Sequence, residues 1–198
     1  MTANEIRLIQ PDRLADEWLK AQKQRPKPTD DQSRLQAVLA LAALTIAHDS
    51  GGPFAAAVYA LDTGELISTA VNTVVSNHCA AAHAELQALS LAQQKIGNYT
   101  LIDRPCVLVS SSEPCTMCLG AIAWSGIQQL VFSSTREDVE QIGFDEGPIT
   151  REWRQQLTER GIRVSGPMLR EEGRQILRDY LNHQGVIYNA RPLGPAQI

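Results

Sequence analysis

His83, Glu85, Cys115 and Cys118 are the residues whose types and spacing allow chemistry on a metal ion. Cys115 and Cys118 stand three apart, so on a helix their sulfurs share one face and can grip a single cation, and a helix start at that point favours thiolate. His83 is the third donor. Three protein donors leave the fourth corner of a tetrahedral zinc ion to water, whose pKa the ion lowers to about 7. Glu85, just past the histidine, is placed to take that water's proton and hand it to a nitrogen of the substrate. The opposing reading is a closed structural site in which Cys79 supplies a fourth ligand. Such a site has no use for Glu85, and structural knuckles draw their ligands from two close pairs. Cys106, in the apolar run Cys106-Val107-Leu108-Val109, reads as a small core residue. His48, His78 and His183 read as surface or capping histidines, with His78 close enough to Cys79 to line the mouth of the site.

The elements that must position these residues can be read from periodicity and punctuation. Residues 6 to 24 carry Leu14, Trp18 and Leu19 at helical spacing before the Arg25-Pro26-Lys27-Pro28 break, which predicts an appended helix and an extended connector. Asp30 is an N-cap for a long helix with Leu35, Val38, Leu39, Leu41, Leu44 and Ile46 on its apolar face, stopped by Gly51-Gly52-Pro53. Residues 54–60 and 65–71 read as strands joined by Asp62-Thr63-Gly64. Helix 84–95, strand 106–111, helix 115–125 and strand 129–133 follow. An amphipathic stretch 150–160, a short strand 162–165 and a helix 169–182 close the core. The alternation of strand and helix requires part of the sheet to be parallel. The expected fold is a three-layer α/β/α domain with a mixed sheet of about five strands. Residues 1–29 form a helix and linker, 30–184 the domain, and 185–198 a tail that contributes to the site.

Composition narrows the partners. Lys and Arg number 18 against 22 Asp and Glu, a net charge of -4, which offers no broad positive field for a phosphate backbone. Nucleic acid is therefore not the expected partner. No apolar run is long enough to span a bilayer, and the N-terminus lacks the segments of a signal peptide. The expectation is a cytoplasmic protein without a membrane partner. The 4 cysteines are too few and too unevenly spaced for a disulfide framework.

His83-Ala84-Glu85 with Pro114-Cys115-Thr116-Met117-Cys118 resembles the signature of zinc-dependent nucleobase deaminases. From about Leu35 to about Asn189 the chain is similar to the guanine deaminase branch of the cytidine-deaminase-like superfamily. The likeness is carried by Gly51-Gly52-Pro53-Phe54-Ala55-Ala56, by Asn72 ahead of the zinc histidine, by Ser112-Glu113-Pro114-Cys115, by Trp124 and by Gly143-Phe144-Asp145. The resemblance implies hydrolysis of guanine to xanthine and ammonia with Zn2+ on His83, Cys115 and Cys118, and proton shuttling by Glu85. It also implies a homodimer. Asn72 and the backbone near Ala84 would hold the base, Phe54 and Trp124 would wall it, and Asp145 would bind its polar edge. A C-terminal tail would bring an aromatic residue, here Tyr188, into the site. The helix and linker before residue 30 and the extension from Arg191 to Ile198 depart from the compact family members.

If Asp145, with or without Glu146, lies in the pocket, guanine follows from physical chemistry as well. Guanine presents ring and exocyclic N–H donors, and carboxylates only accept. Adenine and cytosine put an acceptor nitrogen beside the amine, which a buried carboxylate repels at a cost of several kcal/mol. Ammeline, guanosine and cytosine stay open as substrates of the same chemistry. A tRNA adenosine deaminase shares the Pro-Cys-x-Met-Cys pattern but needs a basic surface. A silent, zinc-stabilised interaction module is the alternative outside enzymology.

Overall fold

Asp12 opens the first helix by accepting from Leu14 N at 2.8 Å, and α1 (Arg13–Gln22) buries Ala15 and Trp18. These coordinates are a computed structural model, describing residues 12–48 and 51–189. The expected helix start at Ile6, the side chain of His48 and the Arg191 to Ile198 extension lie outside the described residues. Asp30 caps α2 (Asp31–His48) as its type suggested, with Oδ1 accepting from Ser33 N at 2.7 Å. The buried face of α2 runs through Leu35, Val38, Leu39, Leu41, Ala42 and Thr45, while Leu44 turns outward at 38% exposure.

The strands β1 (Ala55–Ala60), β2 (Leu66–Val71), β3 (Cys106–Ser112), β4 (Gln129–Ser134) and β5 (Arg163–Ser165) form one sheet in the order β2-β1-β3-β4-β5. The first two pairings are antiparallel and the last two parallel. β1 to β4 are buried along their whole length, so both faces must be covered. On one face Ala56, Val58, Leu108 and Phe132 pack with α3 (Ala84–Ile96), α4 (Thr116–Ser125) and α6 (Trp153–Glu159). On the other, Ala57, Tyr59, Val109 and Val131 pack with α1 and α2. α7 (Arg170–Asn182) gives Ile176 to the second cluster and Leu177 and Tyr180 to the first.

One helix was not legible. α5 (Arg136–Gln141) has a Thr135–Asp138 capping box and no room for an apolar stripe. Asp138 then anchors the start of α7, accepting from Arg170 Nε at 2.8 Å.

This topology sends several chain ends to one rim of the sheet. Ala55 pairs with Val71 and Ala56 with Ser110, so the entry to β1, the exit of β2 and the exit of β3 are neighbours. Ligands of open α/β sheets bind outside the carboxyl ends of parallel strands where the direction of connection changes. The buried Gln87 amide fixes the start of α3 to that rim, donating to Val71 O at 2.8 Å and Ala82 O at 2.9 Å.

Candidate active site

His83 and Cys115 occupy the N-cap positions of α3 and α4, and Cys118 lies in the first turn of α4. The two helix starts therefore face each other across the rim. Cys115 Sγ lies 3.5 Å from His83 Nδ1 and Cys118 Sγ 3.7 Å from the same atom. Zinc bonds of ordinary length at a tetrahedral angle place sulfur and nitrogen about 3.6 Å apart, so the donor set fits a zinc ion. The Cys115 thiol is driven down to about 4, first by the hydrogen bond from Cys118 and then by His83, which favours the thiolate form that a zinc ion binds. Cys79 does not join these donors. It is exposed, and among the described residues only His83, Cys115 and Cys118 are close enough together to share an ion. The closed four-ligand shell is not formed.

Glu85 stands beside the donors on the first turn of α3, 5% exposed. Ser110 Oγ donates to its Oε1 at 3.0 Å, and its Oε2 lies 3.5 Å from Cys118 Sγ. Burial raises its pKa, and the negative Cys115 raises it further. A carboxyl that holds its proton at higher pH suits a group that must both take and give one. Ser110, at the end of β3, was not singled out from sequence; its inward position follows from the strand alternation that places it opposite Ala56.

The donors open on a cavity of about 540 Å³. His83, Cys115 and Glu85 form one wall of it, with Asn72 and Phe54 beside them. Phe144, Asp145, Glu146, Tyr188 and Asn189 form the opposite wall. Asn72 is 1% exposed and its Oδ1 accepts from Val74 N at 3.2 Å, which commits the carbonyl and leaves the amide N–H group for the cavity. Gly51 and Gly52 allow the close approach at this corner. A side chain at 51 would collide with the Asn72 carbonyl, and one at 52 would meet the Tyr188 hydroxyl at 2.7 Å.

A family model described as the cytidine and deoxycytidylate deaminase zinc-binding region matches residues 28–134. The chain belongs to that deaminase family. It is 37% identical over 112 residues to the guanine deaminase of Bacillus subtilis, covering 57% of this chain and 69% of that protein. It is 30% identical over 120 residues to the tRNA-specific adenosine deaminase of Buchnera aphidicola, covering 61% and 75%. Among solved structures, the guanine deaminase of Nitrosomonas europaea matches with 44% identity, 83% and 91% coverage and a TM-score of 0.78. NE0047 in complex with 2,6-diaminopurine matches with 45% identity, 89% and 94% coverage and a TM-score of 0.81.

Within this deaminase site the sequence expectations divide. His83, Cys115, Cys118, Glu85, Asn72, Phe54 and Tyr188 converge. Trp124 does not wall the cavity of the single chain: it stands 82% exposed near the far end of α4, whereas the cavity is met by Thr116 and Met117 at the start of that helix. The Ala84 side chain is fully buried in the α3 core, between the cavity-lining His83 and Glu85. Asp145 is exposed at the mouth, where its Oδ1 accepts from Gly147 N at 2.9 Å in a local turn. Its neighbour Glu146 is the carboxyl that desolvation affects. Burial, then the charges of Cys115 and Glu85, raise its pKa well above the ordinary value, and among the described residues nothing donates to it. Phe144 packs edge-on against Phe54 at 5.1 Å and Tyr188 at 5.0 Å, closing the aromatic floor.

Proposed function

We propose that this chain is a zinc-dependent guanine deaminase, converting guanine to xanthine and ammonia. The observation that carries the reading is Glu146, a carboxyl that accepts no hydrogen bond among the described residues and lies across the cavity from the zinc donors. In its ionised form, which the N–H donors of a bound base favour, this carboxyl accepts from the ring N–H groups of guanine and opposes the ring acceptors of adenine and cytosine. Asn72 supplies the complementary donor, and Phe54 and Tyr188 flank the base. The relatives named guanine deaminase support the same substrate.

Zinc held by His83, Cys115 and Cys118 supplies a Lewis acid beside which water loses a proton near neutral pH. Glu85, held by Ser110, accepts that proton and gives it to a ring nitrogen; the second proton, from the hydroxyl added at the amine-bearing carbon, passes by the same carboxylate to the amine, which leaves as ammonia. The cavity walls exclude bulk water from the exchange, and Asn72 and Glu146 hold the ring in register.

A small-molecule base, not tRNA, is the substrate this reading requires, in line with the net charge of -4. We place the protein in the cytoplasm, where its free cysteines stay reduced; among the described residues no helix is long and apolar enough to cross a membrane. We also propose a homodimer through α4. That helix contains no charged residue, yet it shows Met117, Gly120 and Trp124 to solvent along one stripe, a surface suited to a second copy of itself. Trp124→Glu is expected to turn the dimer into monomer in sedimentation analysis.

Ammonia release from zinc-loaded protein tests the substrate, with guanine, ammeline, guanosine, adenine and cytosine compared at equal concentration. Guanine is expected to turn over fastest; faster release from adenine or cytosine would remove the role given to Glu146.

A further inference from the structure

Residues 143–147 carry Glu146, a desolvated carboxyl that lines the cavity opposite the zinc donors, and they belong to no helix or strand. A loop this short must be fixed by side chains if its carboxyl is to point inward. The fixing comes from the tail. Gly185 turns across the Tyr180 ring, where any side chain would collide, and Tyr180 Oη donates to Val186 O at 2.8 Å. This sends Ile187 against Gly143 and Tyr188 against Phe144. Asn189 then makes a two-point clamp: its Oδ1 accepts from Asp145 N at 2.9 Å and its Nδ2 donates to Gly143 O at 2.9 Å.

On the far side of the same loop, Thr116 N at the start of α4 donates to Glu146 O at 3.1 Å. Asp145 N and Glu146 O are thus both held, one by the tail and one by the helix that carries Cys115 and Cys118. Releasing the tail side frees the backbone immediately before Glu146.

We infer that Asn189 is a positioning residue for guanine recognition, acting through Glu146 by holding the 143–145 backbone in the conformation that aims this carboxyl into the cavity. The ligand rests on the guanine reading; the clamp rests on geometry alone. Asn189 makes no contact with the zinc donors, so it sets affinity and selectivity and leaves the proton transfer of Glu85 intact. Its amide satisfies a backbone donor and a backbone acceptor at once, which neither an alanine nor a carboxylate does.

Two readouts test this. The first is amide hydrogen exchange at Asp145 in wild type and Asn189→Ala, each zinc-loaded. Faster exchange confined to residues 143–147 is expected, with zinc content and Tm unchanged; unchanged exchange at Asp145 overturns the clamp whatever the substrate proves to be. The second is a double-mutant cycle on 8-azaguanine affinity with Glu146→Gln. Asn189→Ala is expected to weaken binding about tenfold in the wild-type background and less than about twofold with Glu146→Gln. Asn189→Asp, which keeps the acceptor and loses the donor, is expected to fall between. Equal weakening in both backgrounds overturns action through Glu146. A wild-type protein that binds no 8-azaguanine counts against the guanine reading, while the exchange measurement still decides the clamp.

Discussion

The cavity has two walls built by different means. The zinc wall comes from helix starts and strand ends: His83 and Cys115 at N-caps, Cys118 and Glu85 in first turns, Ser110 on β3. Its side chains inherit their positions from the sheet. The opposite wall is a loop and a tail, held by Asn189, Thr116 and the packing of Phe144 on Tyr188. The family model that matches residues 28–134 covers the first wall and stops before the second. On the proposed function, the scaffold carries the reaction chemistry, and the loop and tail carry the choice of substrate.

Each wall can be broken separately. The largest effect is expected from His83→Ala, which removes one of three zinc donors: metal analysis should show loss of bound zinc, and turnover should fall to background. Glu146→Gln comes next. It should lower kcat/KM for guanine about 100-fold at full zinc occupancy, with most of the change in KM. The same carboxyl predicts a pH dependence. Its raised pKa means that the protonated form persists upward in pH, and N–H donors of a bound base favour the ionised form, so binding should release a proton and tighten as pH rises through that pKa. Guanine titrations in a Glu85→Gln background measure this, and the dependence should vanish when Glu146 is also Gln. Tyr188→Ala should raise KM about tenfold by opening the aromatic floor, read in steady-state kinetics. Asp145→Asn should change kcat/KM less than about threefold, because its carboxylate faces solvent and serves Gly147 N. A larger effect at Asp145 than at Glu146 would invert the assignment of the loop.

The zinc wall was legible in sequence because its logic is short-range: donor spacing within one helix turn, a glutamate beside a histidine, and helix starts after strands. The five strands and their mixed pairing followed from the same alternation. The recognition wall was not legible to the same depth. Asp145, which stands exposed at the mouth beside Glu146, has its backbone held by Asn189, a residue 44 positions away, and such a long-range contact leaves no local pattern in sequence. Trp124 on α4 has the same local pattern whether it faces a cavity or a neighbouring molecule, and only the packing of α4 shows that it faces outward. Likewise α5 is too short for periodicity to reveal, and Asn72 could be read as a turn residue until the sheet rim brought it to the cavity.

The most direct test of the scaffold's role in chemistry is turnover by Glu85→Gln, with zinc content and guanine affinity measured on the same preparation. The account predicts full zinc occupancy, guanine binding within about threefold of wild type, and ammonia release reduced about 10³–10⁴-fold. Near-normal ammonia release at unchanged zinc content would contradict it.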